Sequence, residues 1–138
     1  MSAATKRQPK RAAKRVPPLW TSDTGITING RRDLRAVYPS TTSTANHTCS
    51  GTDDGRITAC TCDGWQFTGK CWHADCLVDD FWRARWGTET LAALQWRTRE
   101  LLHWLALGPD EADENCARIE LSTLGDLFAE RLAESEAA

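Results

Sequence analysis

No apolar run in the chain approaches the roughly 18 to 20 residues that a membrane-spanning helix requires, so no membrane association is expected. The short stretch at residues 16–20 follows positive charge but is too brief and too proline-rich to form the apolar core, about 7 to 15 residues long, of a secretory signal. Nothing therefore directs export, and a cytoplasmic, reducing setting is expected. A phosphate-cradling glycine-rich loop is also missing, as is any nucleophile motif, so neither an enzyme nor a small-molecule substrate is anticipated. No internal repeat of solenoid length is visible.

What is present is unevenly distributed. Residues 1–35 hold nine Lys or Arg against Asp23 and Asp33, whereas the remainder holds eight basic and 17 acidic residues; the formal net charge of −2 conceals this division. A basic arm joined to an acidic body can signal contact with nucleic acid or an acidic partner, and it can equally serve solubility. Residues 1–18 contain little to bury, and a segment that cannot offset its ordering entropy by burial is expected to be a disordered arm. Lys6, Arg7, Lys10, Arg11, Lys14 and Arg15 in that arm are the candidate phosphate contacts, joined by Lys70 in the body.

Residues 19–43 form a weakly patterned lead-in with two short β-prone stretches, 25–30 and 36–38. The pattern sharpens after it. Residues 44–50 and 56–62 are rich in threonine and alternate in polarity, and Asp54-Gly55 between them predicts a β-hairpin, because such pairs tolerate the positive φ that tight turns demand. Residues 63–70, punctuated by Gly64 and Gly69, read as a loop. From Cys71 to Trp86 there is no Gly or Pro, and His73, Leu77 and Phe81 fall on one face of a helix that Gly87 ends. Thr88 is the expected N-cap of a second helix, whose leucines keep helical spacing up to the Gly108-Pro109 break. A last helix is expected from about residue 121 or 122 to 134, with Leu124, Leu127, Phe128 and Leu132 as its stripe and a frayed tail beyond.

The chemistry concentrates in the run Cys60-Thr61-Cys62, eight intervening residues, then Cys71-Trp72-His73. Structural zinc takes four thiolate or imidazole donors in a closed tetrahedron. On an extended strand, positions i and i+2 face the same side, so Cys60 and Cys62 can share one ion, and the eight residues that follow suffice to bring Cys71 and His73 back to it. Four protein donors leave no open position for a catalytic water. Cys49 and Cys76 read as buried thiols, since free cysteine behaves as a small hydrophobe. His47 and His103 have no partner at ligand spacing, and Cys116 stands apart in an acidic segment. Most of the seven tryptophans are expected to pack the core, with Trp65 a candidate for base stacking.

This C-x-C, eight-residue, C-x-H pattern, set between a threonine-rich hairpin and an amphipathic helix, resembles the SWIM-type zinc finger. The resemblance spans residues 44–86 and includes the Asp63-Gly64 turn after Cys62 and Gly69-Lys70 before Cys71. It implies one structural zinc, a ββα arrangement within an α+β fold, and DNA or protein partners; the helical region over 87–138 is read from leucine spacing alone. Such fingers occur in transposase-related proteins, chromatin remodellers, ubiquitin ligases and recombination accessory factors, and as small stand-alone proteins of bacteria and their viruses. Trp72 departs from the family pattern, where a basic residue is common; if that residue helps meet phosphate, nucleic-acid binding by this face is weakened.

Overall fold

A computed structural model describes residues 16–26, 30–40 and 44–137. The described residues form an α+β structure in which an antiparallel sheet of order β1-β2-β3-β4 packs with four helices. The strands are β1 (Trp20–Ile26), β2 (Arg32–Pro39), β3 (Asn46–Thr52) and β4 (Ile57–Cys60). The helices are α1 (Asp63–Thr68), α2 (Trp72–Trp86), α3 (Leu91–Ala106) and α4 (Glu111–Ala137).

The expected hairpin is β3–β4, turning at Asp54-Gly55 with Gly55 at φ 95°. The lead-in contributes more than isolated stretches, because β1 and β2 pair and β2 joins β3, so the hairpin becomes half of a four-stranded sheet. The stretch 36–38 lies within β2; of 25–30, residues 27–29 lie outside the described residues. The basic arm up to residue 15 lies outside them as well.

Alternation along β2 directs Leu34, Ala36 and Tyr38 inward, all at most 2% exposed, and their cross-strand neighbour Cys49 is fully buried. Across this face lies α2, whose His73, Leu77 and Phe81 are buried together as their i, i+4, i+8 spacing requires. Gly51 is fixed by this packing, since a Cβ there would sit 2.7 Å from the Arg56 carbonyl and 3.0 Å from Leu77. A second core lies between α3 and α4, from Leu94, Leu101, Ala117, Leu124 and Leu127, and Trp86 packs against both cores.

Three sequence expectations are corrected. Residues 63–70 are not all loop: Asp63–Thr68 is helical, with the Cys62 sulfur capping its start and Gly69 in the left-handed conformation at its end. The two glycines that suggested a loop serve this short helix, one within its first turn and one closing it. The N-cap of α3 is Thr90, not Thr88; its hydroxyl accepts from the Ala93 N–H at 3.1 Å. The last helix begins at Glu111, about ten residues before the expected start, and runs to Ala137. Glu111, Asp113 and Glu114 favour the positive end of its dipole, and Asp110 accepts from the Asp113 N–H at 2.8 Å. The acidic segment around Cys116 is thus the start of this helix. No helix among the described residues is long and apolar enough to cross a membrane.

Candidate metal centre

Cys60 ends β4, Cys62 caps α1, and Cys71 caps α2, which carries His73 in its first turn. These elements bring the four predicted donors to one point: their ligand atoms all lie within 4.8 Å of one another. The Cys60 sulfur is 3.7 Å from His73 Nδ1. With zinc–sulfur bonds of about 2.3 Å, a tetrahedron has edges of about 3.8 Å, so the donors match a four-coordinate ion after a contraction on the order of 1 Å at the widest pair. The cluster can hold one metal ion, and its three sulfurs and one imidazole suit zinc by both softness and number.

Local structure prepares two of the sulfurs for negative charge. Cys62 accepts from the Trp65 N–H at 3.4 Å and Cys71 from the Ala74 N–H at 3.3 Å, so each sulfur occupies the N-cap of a helix. A thiolate there satisfies an otherwise unpaired amide and lies at the positive end of α2.

The same burial opposes charge when no cation is present. A hydrogen bond with Cys49, followed by burial, pushes the Cys60 thiol well above the ordinary range, and burial pushes Cys71 up to about 12. Burial, reinforced by nearby His47, lowers His73 to about 4, which keeps the imidazole in the neutral form a metal needs. A cation reverses the balance for the cysteines, because coordination deprotonates a thiol outright.

Around the donors is an aromatic wall. The His73 ring lies 4.1 Å from Trp72, 4.8 Å from Tyr38 and 5.4 Å from His47, between ring centroids. Tyr38 donates to Asp80 Oδ2 at 2.6 Å inside the core, anchoring that wall to α2. His47, which lacked a partner by spacing, meets His73 across the fold; the register Tyr38–His47, knowable only once β2 and β3 are paired, brings it there. Cys49 and Cys76 are buried and lie outside the four-donor cluster. His103 is exposed on α3. Cys116 is half-buried, and Arg31 donates to its sulfur at 2.7 Å and also to Asp113.

Lys70, exposed beside Cys71, borders an open cavity of about 470 Å³ against the metal centre. The other predicted nucleic-acid contacts, Lys6, Arg7, Lys10, Arg11, Lys14 and Arg15, lie outside the described residues. The chain matches no protein-family model, no curated protein and no solved structure.

Proposed function

We propose that this chain is a SWIM-type zinc-binding module that acts by binding rather than catalysis, with the zinc purely structural and the basic arm contacting nucleic acid, DNA in the first instance. The observation that carries the reading is the convergence of Cys60 and Cys62 with Cys71 and His73, two pairs eight residues apart in the chain. Four protein donors complete a tetrahedron and leave no position for a reacting water. All six cysteines are free of disulfides, which fits a reducing intracellular setting.

Support for the arm is electrostatic and positional. Six basic residues precede residue 16, with no acidic residue among them. The chain joins the sheet where the Leu19 N–H donates to the Val37 carbonyl, and one register row runs from Trp20 through Val37 and Thr48 to Thr61. Thr61 separates Cys60 from Cys62, so Leu19 and Trp20 enter the sheet at the end that carries the metal centre. The test is a salt-dependent DNA titration of the full chain and of a chain starting at Leu19. The logarithm of affinity should fall with that of salt by about 0.9 per neutralised duplex phosphate, and truncation should flatten the slope.

A protein-interaction module is the second reading, favoured by Trp96, Leu102 and Leu107, which stand 64%, 54% and 70% exposed on and after α3. If the full chain shows no salt-sensitive binding to DNA or RNA at low ionic strength, this reading replaces the first.

A further inference from the structure

The cavity against the metal centre is walled by two indoles, Trp65 from α1 and Trp72 from the first turn of α2, with Ile57 and the ligand Cys71 completing its apolar part. Two charged side chains of opposite sign, Lys70 and Asp75, share its lining. At about 470 Å³ it falls within the range of roughly 300 to 1,000 Å³ typical of small-ligand sites. Both indoles are only half-buried, although they border the sheet core.

We propose that this cavity receives an unpaired base of a single-stranded nucleic acid. The assignment follows from the combination of groups. Indole faces stack on any base, a lysine ammonium meets the adjoining phosphate, and a carboxylate can accept only from a donor, as the exocyclic amino group of cytosine or adenine supplies. Thymine and uracil carry a carbonyl where those bases carry the amino group, so only the ring N3–H between two carbonyls is left to the carboxylate and the contact is weaker. Bases inside a duplex already have both faces stacked, so the occupant must be single-stranded or flipped. This inference rests on the nucleic-acid reading above but uses different residues from the arm.

The experiment measures fluorescence anisotropy of labelled oligomers of about 12 nucleotides, oligo-dC, oligo-dA, oligo-dT and oligo-rC, against the zinc-loaded full chain, beside a duplex of equal length. Expected is tighter binding of oligo-dC and oligo-dA than of oligo-dT or duplex, with oligo-rC separating RNA from DNA as the source of the strand. Trp65→Ala should weaken single-strand binding about 5- to 100-fold with little effect on duplex. Lys70→Ala should lower the single-strand salt slope by about 0.7. Asp75→Asn should remove the discrimination against oligo-dT, because an amide both donates and accepts. Lys70 and Asp75 are exposed, so these two variants keep the test open if Trp65→Ala fails to fold. Single-strand affinity and base preference unchanged in both would overturn the proposal. The arm reading would survive that result if truncation at Leu19 still flattened the slope on duplex. Base-selective single-strand binding that persists in the truncated chain supports the cavity, and a duplex salt slope that truncation leaves unchanged sinks the arm. Absence of any nucleic-acid binding overturns both.

Discussion

The core between the sheet and α2 contains Cys49, Cys60, Cys62 and Tyr38 beside buried His73, whereas the core between α3 and α4 is built from four leucines and an alanine. Each buried leucine contributes roughly 1.5 to 3 kcal/mol by leaving water, and leucine needs no partner. Sulfur and imidazole groups give less by burial and carry polar atoms that must be satisfied. The first core, which also holds Leu34, Leu77, Val78, Phe81 and Trp82, therefore has at its edge a donor cluster that an ion could complete, and the second completes itself. Trp86, packed against both, is the place where they are joined, and its indole N–H donates to buried Glu120 at 3.0 Å.

Removing the metal should separate the two most strongly. Structural zinc contributes on the order of 10 to 16 kcal/mol in finger peptides, so a chelator should abolish amide protection across residues 46–86 while part of the helicity of α3 and α4 persists. Cys62→Ser should act alike, and informatively so. Serine is a better N-cap than cysteine and can still accept from the Trp65 N–H, so α1 keeps its cap and the loss is assignable to the missing thiolate. Hydrogen exchange and circular dichroism that do not change after complete zinc removal would refute the contrast.

The pH dependence of the metal-free and metal-loaded forms sharpens the same point. Metal-free, His73 is held near 4 against an ordinary value of 6.5, so between these values the unfolded chain binds a proton that the folded chain refuses. Stability is then complete above about pH 6.5 and falls by about 3 kcal/mol as pH drops towards 4. Cys71 works at the other end. Its thiol, raised to about 12, keeps its proton when the unfolded chain's thiol has lost it, so the metal-free fold weakens as pH rises beyond 9. With zinc bound the sulfur is already a thiolate, and the alkaline loss should vanish. Denaturant midpoints across pH, with and without zinc, check both limbs; coincident curves for the two forms would argue against sulfur ligation.

The helical half has its own buried charge. Glu120 is 3% exposed and receives Arg97 Nε at 2.8 Å, Arg97 Nη2 at 3.0 Å and the Trp86 indole. Glu120→Ala leaves the indole without its acceptor and the guanidinium with Glu100, at 3.4 Å, in place of its two short bonds. Breaking a buried pair costs about 3 to 5 kcal/mol, and because Arg97 retains some access to water the cost should fall near 2 to 3 kcal/mol. Zinc content should be unaffected. Loss of metal along with stability would show that the two halves unfold as one unit through Trp86.

How much of this was written locally depends on the residue. The four donors were legible because ligand chemistry demands particular residue types at short spacing, and the face shared by His73, Leu77 and Phe81 was legible because helical period is local. The pairing of β1 and β2 with the hairpin was not, since a strand's partner is a long-range choice and the alternation within residues 19–43 is confined to short stretches. Likewise, nothing near His47 in the chain announces His73, and nothing near Glu120 announces Arg97. The start of α4 was missed for a different reason. Residues 111–120 lack an apolar stripe, yet three acids in the first turn and a capping Asp110 favour helix through the dipole, a signal that hydrophobic period does not register.

The smallest effect concerns the cap of α3, where two threonines two residues apart compete. An N-cap must have extended backbone and an oxygen aimed at the amide two or three residues on. Thr90 satisfies this at φ −72° and ψ 159°, with its hydroxyl 3.1 Å from the Ala93 nitrogen and its carbonyl accepting from the Leu94 N–H at 3.0 Å. Thr88 instead lies in the turn after α2, where the Glu89 N–H donates to the Trp86 carbonyl and Arg131 holds the Gly87 and Glu89 carbonyls. That turn uses up the backbone groups that a helix starting at Glu89 would need. Thr90→Ala should therefore destabilise the α3–α4 hairpin by about 1 kcal/mol, whereas Thr88→Ala, at an exposed site, should stay within about 0.5 kcal/mol. Thermal unfolding of the two variants in the zinc-loaded protein decides between the positions, and a larger loss from Thr88→Ala would return the cap to the first threonine.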